Sequence, residues 1–213
     1  MASCAFRQQA PQAAYQSVWS DYLSGNLQQA AEGAAAQAAK FKNARSEAWF
    51  WKFRLLEAEA LIAQARLSEA EPLLSDPIPA SLESKQLEVR RLIDKADAWS
   101  KSNRREDAIG LLQRVQSDAT DATLQIRINV LVGGVLAHLG DLDAAEASLN
   151  TALDRAMERN DVYQQASALL NLSYCKRQRY RYGEAAEFGK RALLLAEAKG
   201  LRRVAAGANT NLG

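Results

Sequence analysis

The sequence predicts an all-α protein built as a solenoid of antiparallel helix pairs. Three observations carry that prediction. An alanine recurs just inside a helix, after a short polar turn, at Ala30, Ala70, Ala108, Ala145 and Ala185, so the steps are 40, 38, 37 and 40 residues. The same string surrounds it: Gly25-Asn26-Leu27 before Ala30, Gly140-Asp141-Leu142 before Ala145, and Tyr180-Arg181-Tyr182-Gly183-Glu184 before Ala185. Good helix formers (Ala, Leu, Glu, Gln, Arg) dominate, prolines number only 4, and strand-like alternation appears nowhere. A fixed period of this size is the mark of stacked repeats, in which each helix pair buries its two apolar faces against its neighbours.

The elements follow in order. A tail over residues 1–10 is expected to be flexible, and helices near 11–24 and 27–41 pair across Gly25-Asn26. A long helix near 45–65 carries Trp49, Phe50, Trp51 and Phe53; its partner near 68–75 is stopped by Pro77 and Pro79. Helices near 83–102 and 105–118 pair across Asn103, and those near 121–139 and 142–158 across Gly140-Asp141. Helices near 162–180 and 183–199 pair last, with Gly200 suited to a left-handed end.

The recurrent alanine has a steric reason. Antiparallel helices joined by a short turn come within roughly 8–9 Å only over small side chains. Twelve residues before each alanine stand Val18, Ala58, Ala96, Gly133 and Ser173, four of them small. This spacing, with the turns and the runs Asn171-Leu172-Ser173 to Ala192-Leu193 and Gly133 to Ala152-Leu153, resembles the tetratricopeptide repeat. The first three repeats depart from the pattern: Val18 replaces the small residue, and Pro77 falls where later repeats have alanine. The steps exceed the family's period of about 34 residues and resemble its long-helix bacterial variants.

The resemblance covers residues 11–213: five helix pairs and the first helix of a sixth, wound as a right-handed superhelix. Asn211-Leu212-Gly213 repeats Asn171-Leu172-Ser173 and places Gly213 at the close-contact position of that sixth repeat. The expectation is that the array continues into a longer protein. Arrays of this kind resemble those preceding caspase-like peptidase (CHAT) or regulatory domains. An uncovered stripe of Leu201, Val204 and Leu212 is expected to fray or to drive weak self-association.

Composition excludes several classes. A net charge of +2 argues against a dedicated nucleic-acid binder. No continuous run of about eighteen apolar residues exists, so no membrane span is expected. Cys4 and Cys175 have no metal or redox spacing, and no cofactor is expected. The phosphate-loop, zinc-helix and nucleophile-elbow signatures of enzymes are missing, so catalysis is not expected. His138 closes a helix, where the dipole favours a cation, and Cys175 reads as core. A cytoplasmic protein is expected. The alternative is a lipid-anchored, extracytoplasmic scaffold, since Ala2-Ser3-Cys4 resembles the end of a lipoprotein signal whose upstream part is lacking here.

The resemblance implies a protein-interaction scaffold or sensor arm that binds a peptide or protein along a groove lined by first helices. The groove positions map to Tyr15, Trp19 and Tyr22; to Lys52, Leu55 and Glu59; and to Arg90, Asp97 and Lys101. In the last two repeats they map to Arg127, Val130 and His138, then Ser167, Asn171, Tyr174 and Arg177. Trp49 and Trp51, two apart on a helix, point to different sides and are expected to pack between repeats. The run from Lys176 to Tyr182 is the densest basic cluster, and an RNA-binding solenoid is the alternative it raises. Its place at a helix end, where cations are favoured, fits a solvated run instead.

Overall fold

The computed structural model describes the backbone of residues 2–41, 48–79 and 85–212, and side chains from residue 10 onward within those ranges. The expected helix starts near 45 and 83, the Cys4 side chain and Gly213 lie outside the described residues. Among the described residues there are eleven helices and no strand. They are α1 (Ala2–Leu23), α2 (Leu27–Lys40), α3 (Ala48–Ala63), α4 (Leu67–Leu73), α5 (Lys85–Lys101), α6 (Arg105–Gln116), α7 (Ala122–Leu139), α8 (Leu142–Glu158), α9 (Val162–Gln178), α10 (Tyr182–Ala198) and α11 (Arg202–Leu212). The chain forms two compact units, Met1–Ser102 and Asn103–Gly213. The third expected pair is therefore divided, α5 to the first unit and α6 to the second. The fold is all-α, of tetratricopeptide-like helix pairs.

Helix ends agree with the turn chemistry. Asp121, Asp141 and Asp161 cap α7, α8 and α9, each accepting hydrogen bonds from backbone N–H groups of the first turn. Gly25, Gly140 and Gly200 take the left-handed conformation that ends a helix; Ala65, Asn103, Asn160 and Tyr180 take it without being glycine. One boundary differs from expectation. Helix α1 begins at Ala2, ahead of the helix start expected near 11, and carries Pro11 within it. The stretch ahead of the proline is rich in Ala, Gln and Arg, which favour helix.

In the N-terminal unit the core holds Phe53, Leu55, Leu56, Ala58, Ile62, Leu74 and Ile93, all essentially inaccessible. Val18, too large for its register position, is accommodated because Gly33 faces it: a Cβ there would lie 3.2 Å from a Val18 methyl. Helix α4 is short, with Pro72 near its end, and its terminal carbonyls are taken up by neighbours. Arg54 donates from Nε to Leu73 O at 2.8 Å and from Nη2 to Pro72 O at 2.9 Å; Arg91 donates to Leu74 O. Burial would raise the Glu88 carboxyl. The Arg91 guanidinium at 2.5 Å and the Ile78 N–H at 3.0 Å together outweigh it and hold Glu88 below the usual carboxylate range.

In the C-terminal unit, Ile126, Leu149, Leu153, Leu169, Leu172 and Cys175 form one buried cluster with the small residues Ala145, Ala152 and Ala208. The close helix contacts stand where the register puts them. A Cβ on Gly133 would lie 2.5 Å from Leu149 Cγ and 3.0 Å from Ala145 O. One repeat on, Ser173 Oγ donates to Ala185 O at 2.8 Å. Gly110, inside α6, has no neighbouring atom within 4 Å of the position a Cβ would take. Gly110→Ala should therefore raise stability by about 0.5–1 kcal/mol through backbone entropy alone. A urea midpoint that stays level or falls would contradict that packing.

One expectation is corrected. Leu201 and Val204 are 3% and 4% exposed, and Ala208 is inaccessible. Helix α11 packs on α9 and α10, so these residues form no open stripe; Leu212 is half-buried, reaching the surface of Gly189. Among the described residues, α7 is long and apolar enough, by length and composition alone, to cross a membrane. Interleaved Thr, Gln, Arg and Asn break its apolar residues into short stretches, so no continuous run is visible in the sequence. Here α7 packs against α6, α8 and α9.

Cys175 is fully buried and unpaired, and burial, aided by the Glu146 carboxylate, pushes its thiol up to about 11. At pH 8 only about a thousandth would be thiolate, and thiolate is the reactive form. Peptide mapping after iodoacetamide treatment should find Cys175 unmodified in the native chain and alkylated in denaturant. Rapid native labelling would show that this core opens.

Candidate interaction site

The first helices of the N-terminal unit, α1, α3 and α5, bring four of the expected groove residues together. Arg90 donates from Nε to Glu59 at 3.0 Å and from Nη1 to the Tyr15 hydroxyl at 2.7 Å. The side chains of Arg90 and Glu59 are 14% and 4% exposed. Burial pushes the Tyr15 phenol above its ordinary range; Arg90 opposes this, and the Glu59 and Asp94 carboxylates add to it. Tyr15 also packs on Trp49 and Phe53, at ring separations of 6.1 and 5.7 Å. Lys52 sits over the Trp49 ring at 4.2 Å, its ammonium lowered by burial and by Arg90. Trp49 thus belongs to this cluster, while Trp51 is buried in the core.

The remaining N-terminal positions do not join it as an open surface. Leu55 and Tyr22 are buried, and Tyr22 stacks on half-buried Trp19 at 5.0 Å. Asp97 and Lys101 pair with each other along α5. What this face presents is a set of side chains already bonded to one another. Its chemistry is that of a structural staple across three helices.

The C-terminal unit is different. Helix α9 packs against both α7 and α11, so these first helices form a row. Along α7 the register places Arg127, Gly134 and His138 on one stripe, and along α9 Ser167, Asn171, Tyr174 and Arg177. The stripes meet: the Asn171 side chain lies 3.6 Å from where a Gly134 Cβ would stand, and the Tyr174 hydroxyl is 3.2 Å from His138 Nδ1. The Arg177 guanidinium lies 5.5 Å from the centre of the Tyr174 ring. Asn171 makes no side-chain hydrogen bond, and Arg177 no ion pair, among the described residues. Val130 is partly buried against the core, and Ser167 bonds back to Tyr163 O.

On the far side of the row, Arg203 of α11 donates to the Tyr163 hydroxyl, and Asn211 Nδ2 to Leu170 O at 3.1 Å. Neither Tyr163 nor Arg203 is among the expected groove residues, although their 40-residue separation matches the period.

Apart from Arg177, the cations of the basic run resolve into ion pairs. Lys176, only 8% exposed, meets Glu146 at 2.5 Å and Glu184 at 3.7 Å. Arg179 bonds to Asp143 and Glu146, and Arg181 to Glu184. Tyr180 and Tyr182 stand exposed beside them. Among the described residues no group of three or more His, Cys, Asp or Glu is placed to hold a metal. Residues 124–198, the span from α7 to α10, match the tetratricopeptide repeat family. No curated protein matches the chain. Folds of this all-helical repeat type are typically non-catalytic, and such repeats generally mediate protein–protein interaction.

Proposed function

Because residues 124–198 match the tetratricopeptide repeat, we propose that the chain is a protein-interaction module holding a peptide or protein segment on the row α7–α9–α11. One observation carries this reading: in the C-terminal unit Asn171 and Arg177 stand part-exposed on that row without hydrogen-bond or ion-pair partners among the described residues, whereas the corresponding face of the N-terminal unit is bonded to itself. Arginine and tyrosine are also the side chains that most often dominate interface energetics.

Selection of random displayed peptides on the 213-residue chain tests it. Enriched peptides should bind about tenfold more weakly to Arg177→Ala or Tyr174→Ala, with unchanged helical signal. Glu187→Ala, exposed on α10, should leave them unaffected. Glu146 makes a poor control because it holds Lys176 and Arg179. No enrichment, or equal losses from both sets, would refute the assignment.

A further inference from the structure

We infer that the turn between α9 and α10 carries a docking surface separate from the row, an exposed pair of tyrosines that takes a proline-rich peptide segment. At the turn that follows each first helix, one residue takes the left-handed conformation: Gly25, Ala65, Asn103, Gly140 and Tyr180. Glycine adopts it freely and asparagine tolerates it, but a bulky aromatic there is strained. Packing within the fold does not offset that strain, because Tyr180 is 78% exposed and its ring meets that of Tyr182, nearly perpendicular, at 6.3 Å. Tyr182 departs from the repeats in the same way. Three other repeats place half-buried Leu27, Leu67 and Leu142 at its position, whereas Tyr182 is 61% exposed. Strain held without an internal return points to a contact outside the chain.

The pair is held ready for one. The Tyr180 and Arg181 N–H groups donate to Arg177 O and Lys176 O at 2.9 Å each, and Arg179 ties the turn to Asp143 and Glu146 of α8. Beside the rings, no side chain or neighbouring helix comes within 4 Å of where a Gly183 Cβ would stand, its chain neighbours aside. The surrounding ion pairs set Lys176, Arg179 and Arg181 against Asp143, Glu146 and Glu184, so the surface favours neither an acid nor a base.

A neutral platform of two exposed phenol rings suits proline. A pyrrolidine ring packs on an aromatic face, and a proline-rich segment is already extended, so docking orders it little further. Its carbonyls have no partner within the segment and can accept from the tyrosine hydroxyls. The ring separation of 6.3 Å spans about two residues of such a helix, at about 3.1 Å each. RNA fits less well, since the neighbouring cations are neutralised and offer no track for phosphates.

A labelled oligoproline, followed by anisotropy on the full chain, should bind about tenfold tighter than a glycine-serine peptide of equal length. Tyr180→Asn, a residue suited to the turn, and Tyr182→Leu, the residue of the preceding repeat, should each remove most of that difference. Tyr180→Asn should also hold or raise the urea midpoint, since the strain leaves with the ring. Arg177→Ala, on the row, should leave oligoproline binding intact. Binding no tighter than glycine-serine, or unmoved by both tyrosine variants, would overturn the surface. A loss caused by Arg177→Ala alone would overturn it too and move the peptide to the row. A lower midpoint for Tyr180→Asn would show that the ring supports the fold instead. A uridine oligonucleotide bound more tightly through Tyr180, or self-association in sedimentation that Tyr180→Asn abolishes, would reassign the pair to nucleic acid or to a second copy.

Discussion

Arg90→Met should destabilise the N-terminal unit by about 3–5 kcal/mol, the usual result of removing one partner from a buried ion pair. The guanidinium sits between the Glu59 carboxylate at 3.0 Å and the Tyr15 hydroxyl at 2.7 Å, and Glu59 is only 4% exposed. Without it Glu59 is left charged in a site that water hardly reaches, with the buried Asp94 on the same helix as the lost cation. Adding Glu59→Met should recover much of the loss, because the stranded charge is then gone and the replacement is apolar and of similar size. Denaturant midpoints of the single and double variants measure both effects. A loss below about 1 kcal/mol for Arg90→Met would mean that the staple is weak despite its burial. Tyr15→Phe should cost about 1 kcal/mol, one hydrogen bond without a stranded ion.

Overpacking the helix contact should be the other large effect. Gly133→Leu and Ala145→Leu both add bulk where α7 and α8 meet most closely, and each should cost about 1–3 kcal/mol. A single Cβ at 133 already falls 2.5 Å from Leu149 Cγ, and Leu149 is itself fully buried, with core on its other sides. Relief requires either a Leu149 rotamer change or separation of the two helices, which would loosen the cluster that includes Ala152, Leu169 and Cys175. Gly133→Leu should be the more severe because a glycine position offers no side-chain volume to exchange. Equal stability of both variants and the parent chain would overturn the register that predicts the contact.

That register is legible in the sequence because it rests on local rules. A small residue twelve positions before an alanine, with a turn between them, describes one helix pair and needs no knowledge of its neighbours. The same rules set Gly133 against Ala145 and Ser173 against Ala185, and both contacts are present in the fold. What joins one repeat to the next is not legible in the same way. Periodicity alone pairs equivalent positions, as it does for Tyr163 and Arg203, 40 residues apart. Other contacts are staggered: Tyr174 meets His138 from 36 residues away, and Asn171 faces Gly134 from 37. The stagger depends on how far each helix slides along its neighbour, which side-chain packing decides.

The degenerate repeats hide their support for a related reason. Gly33 makes room for Val18 from the partner helix, and Arg54 and Arg91 close the short α4 from helices on either side in sequence. Each is a compensation between positions, invisible when residues are read one at a time. Burial is equally hard to read from register. Leu55, Tyr22 and Glu59 occupy groove positions, yet all three are buried.

Charge in the C-terminal unit is sorted between first and second helices, and the sorting has a kinetic side. Helix α8 sets four carboxylates against one arginine, while α9 and α11 carry only cations among their charged residues, so a field runs through the thickness of the C-terminal unit. An anionic ligand of the row would be turned toward the α7–α9–α11 side before any contact formed. For a ligand held on the row as proposed, ionic strength would act mainly on this approach, while departure would be governed by short-range bonds to groups such as Asn171 and Tyr174. The two rates would thereby be set by different parts of the same surface.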